Sequence, residues 1–330
     1  MKTISIITPC FNEEENVADV YRRVKEVMCS LDGYAYEHIF IDNASTDRTV
    51  AILKVIARKD RNVKILVNTR NFGHVRSPMH ALHQTRGDAV VGIVADLQDP
   101  PELLVEMVAH WEQGADVILA IKRSSAENGI MFRLRQVYYK LVNRISQVDT
   151  YENFTGFGFF DRKVIDIIKD INDPYPYFRG IIAEIGFPHV DIYYDQPARV
   201  KGKTKNNFLT LYDLAMLGIT KLSKAPLRIV TFLGFLGSAV SMLTGVVYLI
   251  YKLLYWDRLS VGIAPLVIGM SLLGSLQLLS LGILGEYIGN IQTMVQKRPF
   301  AFEKERVNFE FPPALPLVDS EQAFAQELCG

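Results

Sequence analysis

The stretch Ile93-Val94-Ala95-Asp96-Leu97-Gln98-Asp99-Pro100-Pro101-Glu102 joins a β-branched apolar run to acids and an amide, and two prolines then open a helical segment. Asp96 and Gln98 offer hard carboxylate and carbonyl oxygens of the kind that Mg²⁺ or Mn²⁺ takes together with substrate phosphates. Asp99 also reads as the N-cap of the next helix, with Pro100 at its first position and Glu102 closing a capping box. A cap needs no second acid inside the strand end, so Asp96 is read as a metal or phosphate residue. Three more strand ends carry polar groups: Pro9 to Glu15, Asp42 to Asp47, and Asn68 to His74. Taken singly these have simpler accounts, with Asn12 and Ser45 as N-caps, Gly73 in a turn and His74 as a turn or cap residue. Together they line one edge of one sheet, where a nucleotide is expected to bind.

The elements that must hold them alternate. Strand-like runs are Ile4–Thr8, His38–Asp42, Val63–Asn68, Ala89–Ala95 and Val117–Ile121, and helical stretches are Glu13–Ser30, Thr46–Arg58, Val75–Thr85 and Pro101–Gln113. Val50, Ile52, Leu53, Val55 and Ile56 recur at helical spacing in the second of these. Such alternation predicts an α/β domain with a mostly parallel sheet and helices on both faces. A further helix is expected over Phe132–Ile145. Beyond it, short aromatic runs suggest strands around Phe157 and Tyr193, flanking a helix at Val164–Asp170. No G-x-G-x-x-G follows the first strand, which counts against a nicotinamide enzyme. The basic loop from Arg199 to Lys205 partly matches a phosphate-binding P-loop, but Pro197 stands where the first glycine is required, and that reading is rejected.

Zero formal charge over 330 residues gives no sign of a nucleic-acid partner. Cys10, Cys29 and Cys329 share no short spacing, so neither a disulfide framework nor a zinc site is expected, which fits a reducing compartment. No signal peptide is expected before the first strand. The apolar excess lies after Ala225. Ile229–Tyr251 and Ile263–Gly285 contain no charged residue, and each has about the 20 residues needed to span a bilayer. Basic residues cluster outside the pair, which places both chain ends in the cytoplasm. Phe208–Leu222 is amphipathic and reads either as an interfacial helix or as a core helix. Gly285-x-x-x-Gly289 reads as a close-packing motif or as ordinary membrane glycine usage. The tail from Pro312 is expected to be peripheral or disordered.

The runs from Ile6 to Val17, Ile41 to Asp47, Arg70 to Gly73 and Ala95 to Glu102 together resemble family 2 glycosyltransferases. The resemblance is to the polyprenyl-phosphate branch, which includes dolichyl-phosphate mannosyltransferase and the GtrB-type bactoprenol glucosyltransferases. It extends to Arg199-x-x-Gly202-x-x-Lys205, the paired C-terminal helices and Gly285-Glu286-Tyr287-Ile288-Gly289, and so covers nearly the whole chain. It implies a Rossmann-like GT-A domain over 1–206, an amphipathic juxtamembrane segment over 207–228, two transmembrane helices within 229–290 and a cytoplasmic tail over 291–330. It also implies that Pro9, Phe11, Glu13, Asp42 and Ala95 surround the nucleotide sugar, and that Asp96 and Gln98 hold Mg²⁺ or Mn²⁺ and the diphosphate. Arg123 is expected near the sugar phosphate. Arg199 and Lys205 are expected at the lipid phosphate, although a solvated or headgroup-binding loop also accounts for them. One departure stands out: the family's acidic pair usually reads Asp-x-Asp, and here Val94 takes the first position.

The expected activity is inverting transfer of a hexose, with UDP-glucose the favoured donor, to undecaprenyl or another polyprenyl phosphate at the cytoplasmic membrane. GDP-mannose, UDP-aminoarabinose or another donor is an alternative, as is a non-catalytic nucleotide-binding membrane scaffold. A flippase is disfavoured by the lack of charge in either run, and a processive synthase by the lack of a channel. A homo-oligomer is a further possibility. Cutting the chain after Lys224 is expected to release a soluble, nucleotide-binding domain.

Overall fold

The computed structural model describes residues 1–124, 146, 151, 153–197, 216–254 and 263–309. The expected helix Phe132–Ile145, the loop with Arg199 and Lys205, most of the amphipathic segment, the loop between the apolar helices and the tail from Pro312 lie outside the described residues. The chain divides into two compact units. One holds Met1–Val105 and the chain from Ala301 onward; the other holds most of the chain between.

In the first unit, strands β1 (Lys2–Cys10), β2 (Tyr34–Asp42), β3 (Val63–Asn68) and β4 (Ala89–Gly92) run parallel in the order β4-β1-β2-β3. Their interiors are apolar on both faces, with Ile4, Ile6, Ile39, Phe40, Ile41, Ile65 and Leu66 fully buried, as a doubly covered parallel sheet requires. Helices α1 (Val17–Ser30), α2 (Thr49–Lys59) and α3 (Gly73–Gln84) make the crossovers. α1 buries Val17, Val20, Val24, Val27 and Met28 at three- and four-residue spacing. α2 turns Thr49, Leu53 and Ala57 inward and leaves Val55 exposed, a narrower stripe than the apolar pattern suggests.

The register sets Asp42 beside Cys10 on one side and Val67 on the other, so the polar strand ends stand side by side. Glu37 and His38 are polar groups buried inside the sheet, and of these His38 leaves its Nδ1 without a hydrogen-bond partner among the described residues. Glu37 accepts hydrogen bonds from Ser5 Oγ at 2.5 Å, Lys64 Nζ at 2.6 Å and the Arg86 N–H at 2.8 Å. His38 lies against Phe40, and burial pushes its pKa down to about 3, so it is a neutral ring in the core.

The unexpected element is β8 (Glu303–Val307), which follows the second apolar helix and pairs antiparallel with β3. Its Glu-Lys-Glu-Arg sequence has none of the apolar alternation that marks a half-buried strand, and charged residues of this kind protect sheet edges. The Glu303 carboxylate meets His80 Nε2 at 2.6 Å and receives Arg306 Nε at 2.7 Å, while Arg306 Nη2 also reaches Gln84. Burial alone would raise the Glu303 pKa, but these donors hold it down at about 2. A depressed carboxylate stabilises the fold above its unfolded value, and that contribution is lost as pH falls through the folded one. Thermal stability of the full chain is therefore expected to fall between about pH 4.5 and pH 2. Glu303→Gln should flatten that part of the profile; an unchanged acid limb in the variant would assign the loss to other carboxylates.

In the second unit, β5 (Val117–Ser124) pairs antiparallel with β6 (Phe154–Asp161) and parallel with β7 (His189–Asp195). α4 (Leu104–Glu112) precedes β5. Helices α5 (Arg162–Ile171) and α6 (Phe178–Ile185) follow β6, and Asp161 caps α5 through the Lys163 N–H. A Cβ at Gly180 would lie 2.5 Å from the Tyr177 ring and 2.8 Å from Leu222, so only glycine allows this approach. Residues 216–222 are helical and bury Leu217 and Leu222 against Tyr177. Apolar helices α7 (Ala225–Leu254) and α8 (Ile263–Gln296) complete the unit; Ala225–Val247 and Leu272–Gln296 are long and apolar enough to cross a bilayer.

Candidate active site

The loops after β1 and β2 are joined by reciprocal bonds between side chains and backbone. Asn12 N–H donates to Ser45 Oγ at 2.8 Å, and Thr46 N–H donates to Asn12 Oδ1 at 2.7 Å. Glu13 N–H reaches Thr49 Oγ1 and Glu14 N–H reaches Asp47 Oδ2. Asn12 and Ser45 thus do not cap their own helices, as their types suggest; each satisfies the other's loop. The N-cap of α1 is Asn16, and its side chain makes no capping bond.

Asn43 performs the same task one strand further on. Its Nδ2 donates to Asn71 Oδ1 at 2.9 Å and Gly73 O at 3.2 Å, and its Oδ1 accepts from Phe72 N–H at 2.8 Å and Asn68 Nδ2 at 3.2 Å. Gly73 opens α3 at φ +84°, a left-handed conformation suited to glycine. Asn43 escapes notice in the sequence because an amide after a strand reads as a turn residue; its role appears only when the three loops meet.

Asp42 is fully buried. Its Oδ2 accepts Ser45 N–H at 2.9 Å, while Oδ1 has no hydrogen-bond partner among the described residues. Burial raises its pKa, opposed by the Ser45 bonds. Such an orphaned acceptor suits a ligand N–H or O–H. Pro9, Phe11 and Glu13 are half-buried at the end of β1 and in the loop after it, where Cys10 pairs with Asp42. Burial, with Asp42 next in weight, pushes the Cys10 thiol well above its usual range, so Cys10 is an inert core residue.

After β4 the chain makes a strained turn. Leu97 is buried at φ +59°, a left-handed conformation costing a bulky residue about 1–3 kcal/mol. Asp96 Oδ1 accepts Gln98 N–H at 3.1 Å across this turn. Ala95 is buried, Asp96 and Gln98 are half-buried, and Val94 is at the surface. The expected capping box does not form: Pro100 is the N-cap of the short 3₁₀ turn Pro101–Leu103. The Glu102 carboxylate instead pairs with Arg23, at 2.9 Å and 2.6 Å.

Among the described residues no three acidic, histidine or cysteine side chains gather into a metal cage. A single carboxylate still fits Mg²⁺ or Mn²⁺, which draws its other ligands from diphosphate and water. Arg123 is in the second unit, exposed at the end of β5, with its guanidinium 5.6 Å from the Tyr193 ring centroid.

The chain matches the profile "Glycosyl transferase family 2" over residues 5–168. It is 33% identical over 314 residues to an uncharacterized glycosyltransferase of Synechocystis sp., covering 94% of this chain and 97% of the relative. It is 35% identical over 297 residues to the SfII prophage-derived bactoprenol glucosyl transferase of Shigella flexneri, covering 90% and 96%. A prophage bactoprenol glucosyl transferase homolog of Escherichia coli K12 is 34% identical over the same shares. Among solved structures, glucosyl-3-phosphoglycerate synthase from Mycobacterium tuberculosis aligns with a TM-score of 0.47 at 19% identity, over 66% of this chain and 76% of that one.

Proposed function

The chain belongs to the family 2 glycosyltransferases, and from that premise we propose that it transfers glucose from UDP-glucose to undecaprenyl or a related polyprenyl phosphate at the cytoplasmic membrane. What carries the reading is the extent of the likeness to bactoprenol glucosyl transferases: 90% of this chain, too much to leave out either the polar strand ends or both apolar helices. The first unit holds chain from before and after the apolar pair, which requires an even number of crossings and fits a membrane hairpin. Its short flanks are basic, with Lys221, Lys224 and Arg228 before it and Lys297 and Arg298 after, so both ends face the cytoplasm.

In this reading Asp42 receives a base or ribose donor on its orphaned oxygen, beside Pro9, Phe11 and Glu13. Asp96 and Gln98 would hold a divalent metal, which when bound would supply positive charge at the diphosphate leaving group. Arg123 is assigned to the sugar phosphate. Arg199 and Lys205 meet the lipid phosphate. The acceptor is a phosphate monoester with a second pKa of about 6, already largely dianionic at neutral pH. It therefore attacks the anomeric carbon without a strong general base, the C–O bond to UDP breaks, and the configuration inverts.

Transfer of labelled glucose from UDP-glucose to undecaprenyl phosphate in detergent, with Mn²⁺ or Mg²⁺ and then with chelator, tests this directly. Chelator-sensitive formation of a lipid-linked sugar is the expected outcome. Failure with UDP-glucose but success with another donor would move the specificity. Tight nucleotide binding with no transfer from any donor would favour a non-catalytic scaffold, a reading suggested by Val94 in place of the first acid.

A further inference from the structure

Glu286 is the only charged residue in α8 and lies inside the apolar span Leu272–Gln296. A carboxylate at such a position is costly and marks function more often than packing. Gly282, Glu286, Gly289 and Thr293 follow one another at four-, three- and four-residue steps and so share one helix face. This face opens on a cavity of about 440 Å³, whose lining also includes Gly285, Asn290 and Tyr175.

The glycines do not serve close packing within the chain. A Cβ built on Gly282, Gly285 or Gly289 meets nothing within 4 Å, whereas at Gly237 it would stand 3.8 Å from Leu276. What they leave is volume. The polar groups around that volume are weighted toward acceptors. Thr293 spends its hydroxyl proton on Gly289 O at 3.0 Å, and Asn290 spends a donor on Thr220 Oγ1 at 2.7 Å. Glu286 contributes two carboxylate oxygens, and among the described residues no lysine or arginine lines the cavity. Exposed Leu278, Leu281 and Ile288 continue as apolar surface nearby.

We propose that this cavity binds the primary ammonium headgroup of a membrane phospholipid, with Glu286 as its counter-ion and the acyl chains along the apolar face of α8. A positive charge is what the lining lacks among the described residues, and a primary ammonium can donate N–H bonds to the Glu286 carboxylate that a quaternary one cannot. A phosphate monoester would set its charge against Glu286, which separates this site from that of the sugar acceptor. The site rests on the membrane reading above, but not on the identity of the sugar.

The full chain, reconstituted in nanodiscs containing equal phosphatidylethanolamine, phosphatidylcholine and phosphatidylglycerol, would be delipidated stepwise and its retained lipids measured by native mass spectrometry. Phosphatidylethanolamine should be retained over phosphatidylcholine by about tenfold, the scale of one charge-assisted hydrogen bond. Glu286→Gln should abolish the preference, and Gly285→Leu, which fills the cavity without touching the acid, should do the same with helicity unchanged by circular dichroism. Lipid retained in proportion to the mixture, or an undiminished preference in Glu286→Gln, would overturn the proposal. So would a Glu286→Gln variant that lost its oligomeric mass, since the face would then join copies of the chain. Recovery of the chain in the soluble fraction without detergent would overturn the membrane reading as well.

Discussion

Replacing Asp96 with asparagine is expected to lower sugar transfer by about 10²–10³-fold, the scale of removing one well-placed electrostatic partner from a developing charge. The substitution keeps the local fold. Asn retains the Oδ1 that accepts Gln98 N–H, so the turn through left-handed Leu97 stays closed and the melting temperature should move little. What is lost is the negative charge. With Val94 at the preceding acidic position, and no group of three or more acidic, histidine or cysteine side chains gathered among the described residues, no ready-made cage replaces it. The diagnostic result is a double one. Wild-type transfer should be abolished by chelator, while the residual activity of the variant should no longer respond to it. If Asp42 holds the nucleoside as proposed, the loss should fall on kcat, because that contact is unchanged in the variant. Near-normal, chelator-sensitive turnover in Asp96→Asn would remove Asp96 from metal binding and leave the cation to the phosphates.

The strand ends were legible from the sequence because in a parallel sheet each apolar run must stop where the chain turns, and the residues there are free to be polar. Asp42 and Asp96 stand out for that reason. Less legible was what those polar residues do for one another. Asn12 and Ser45 have the composition of helix caps, and nothing in a linear pattern says that each will satisfy the other across two loops. Leu97 gives no local sign of a left-handed turn, since its type disfavours one; tertiary packing alone holds it there. The two long apolar helices needed only length and composition. β8 was invisible for the opposite reason, as its pairing is specified by a partner strand more than 200 residues away in sequence and its own residues are charged because they form an edge.

β8 also reverses the result expected from cutting the chain after Lys224. A soluble fragment ending there loses the partner of β3 along Ile65, Leu66, Val67 and Asn68. It loses the Glu303–His80–Arg306 cluster, the Lys54–Glu305 ion pair, and Asn308, whose amide donates to Ala57 O and Val63 O at 2.8 Å each. At about 1 kcal/mol net per hydrogen bond, the deficit is on the order of 5 kcal/mol, comparable to the whole stability of many domains. Function suffers along with stability. Thr69 N–H bonds to Phe302 O at 2.8 Å and the Phe302 ring packs near Phe72, so the loop that Asn43 ties to the site is held from its far side by the segment after the apolar helices. The fragment is expected to aggregate through its bare β3 edge and to lose UDP binding by calorimetry, while a fragment with residues 301–309 fused through a flexible linker should be monomeric and bind. A monomeric, UDP-binding fragment without that addition would show β8 to be a fastening for the apolar helices and not part of the sheet's stability. Restored solubility without restored binding would instead confine the role of β8 to the edge, and leave the Phe72 loop to be ordered by Asn43 alone.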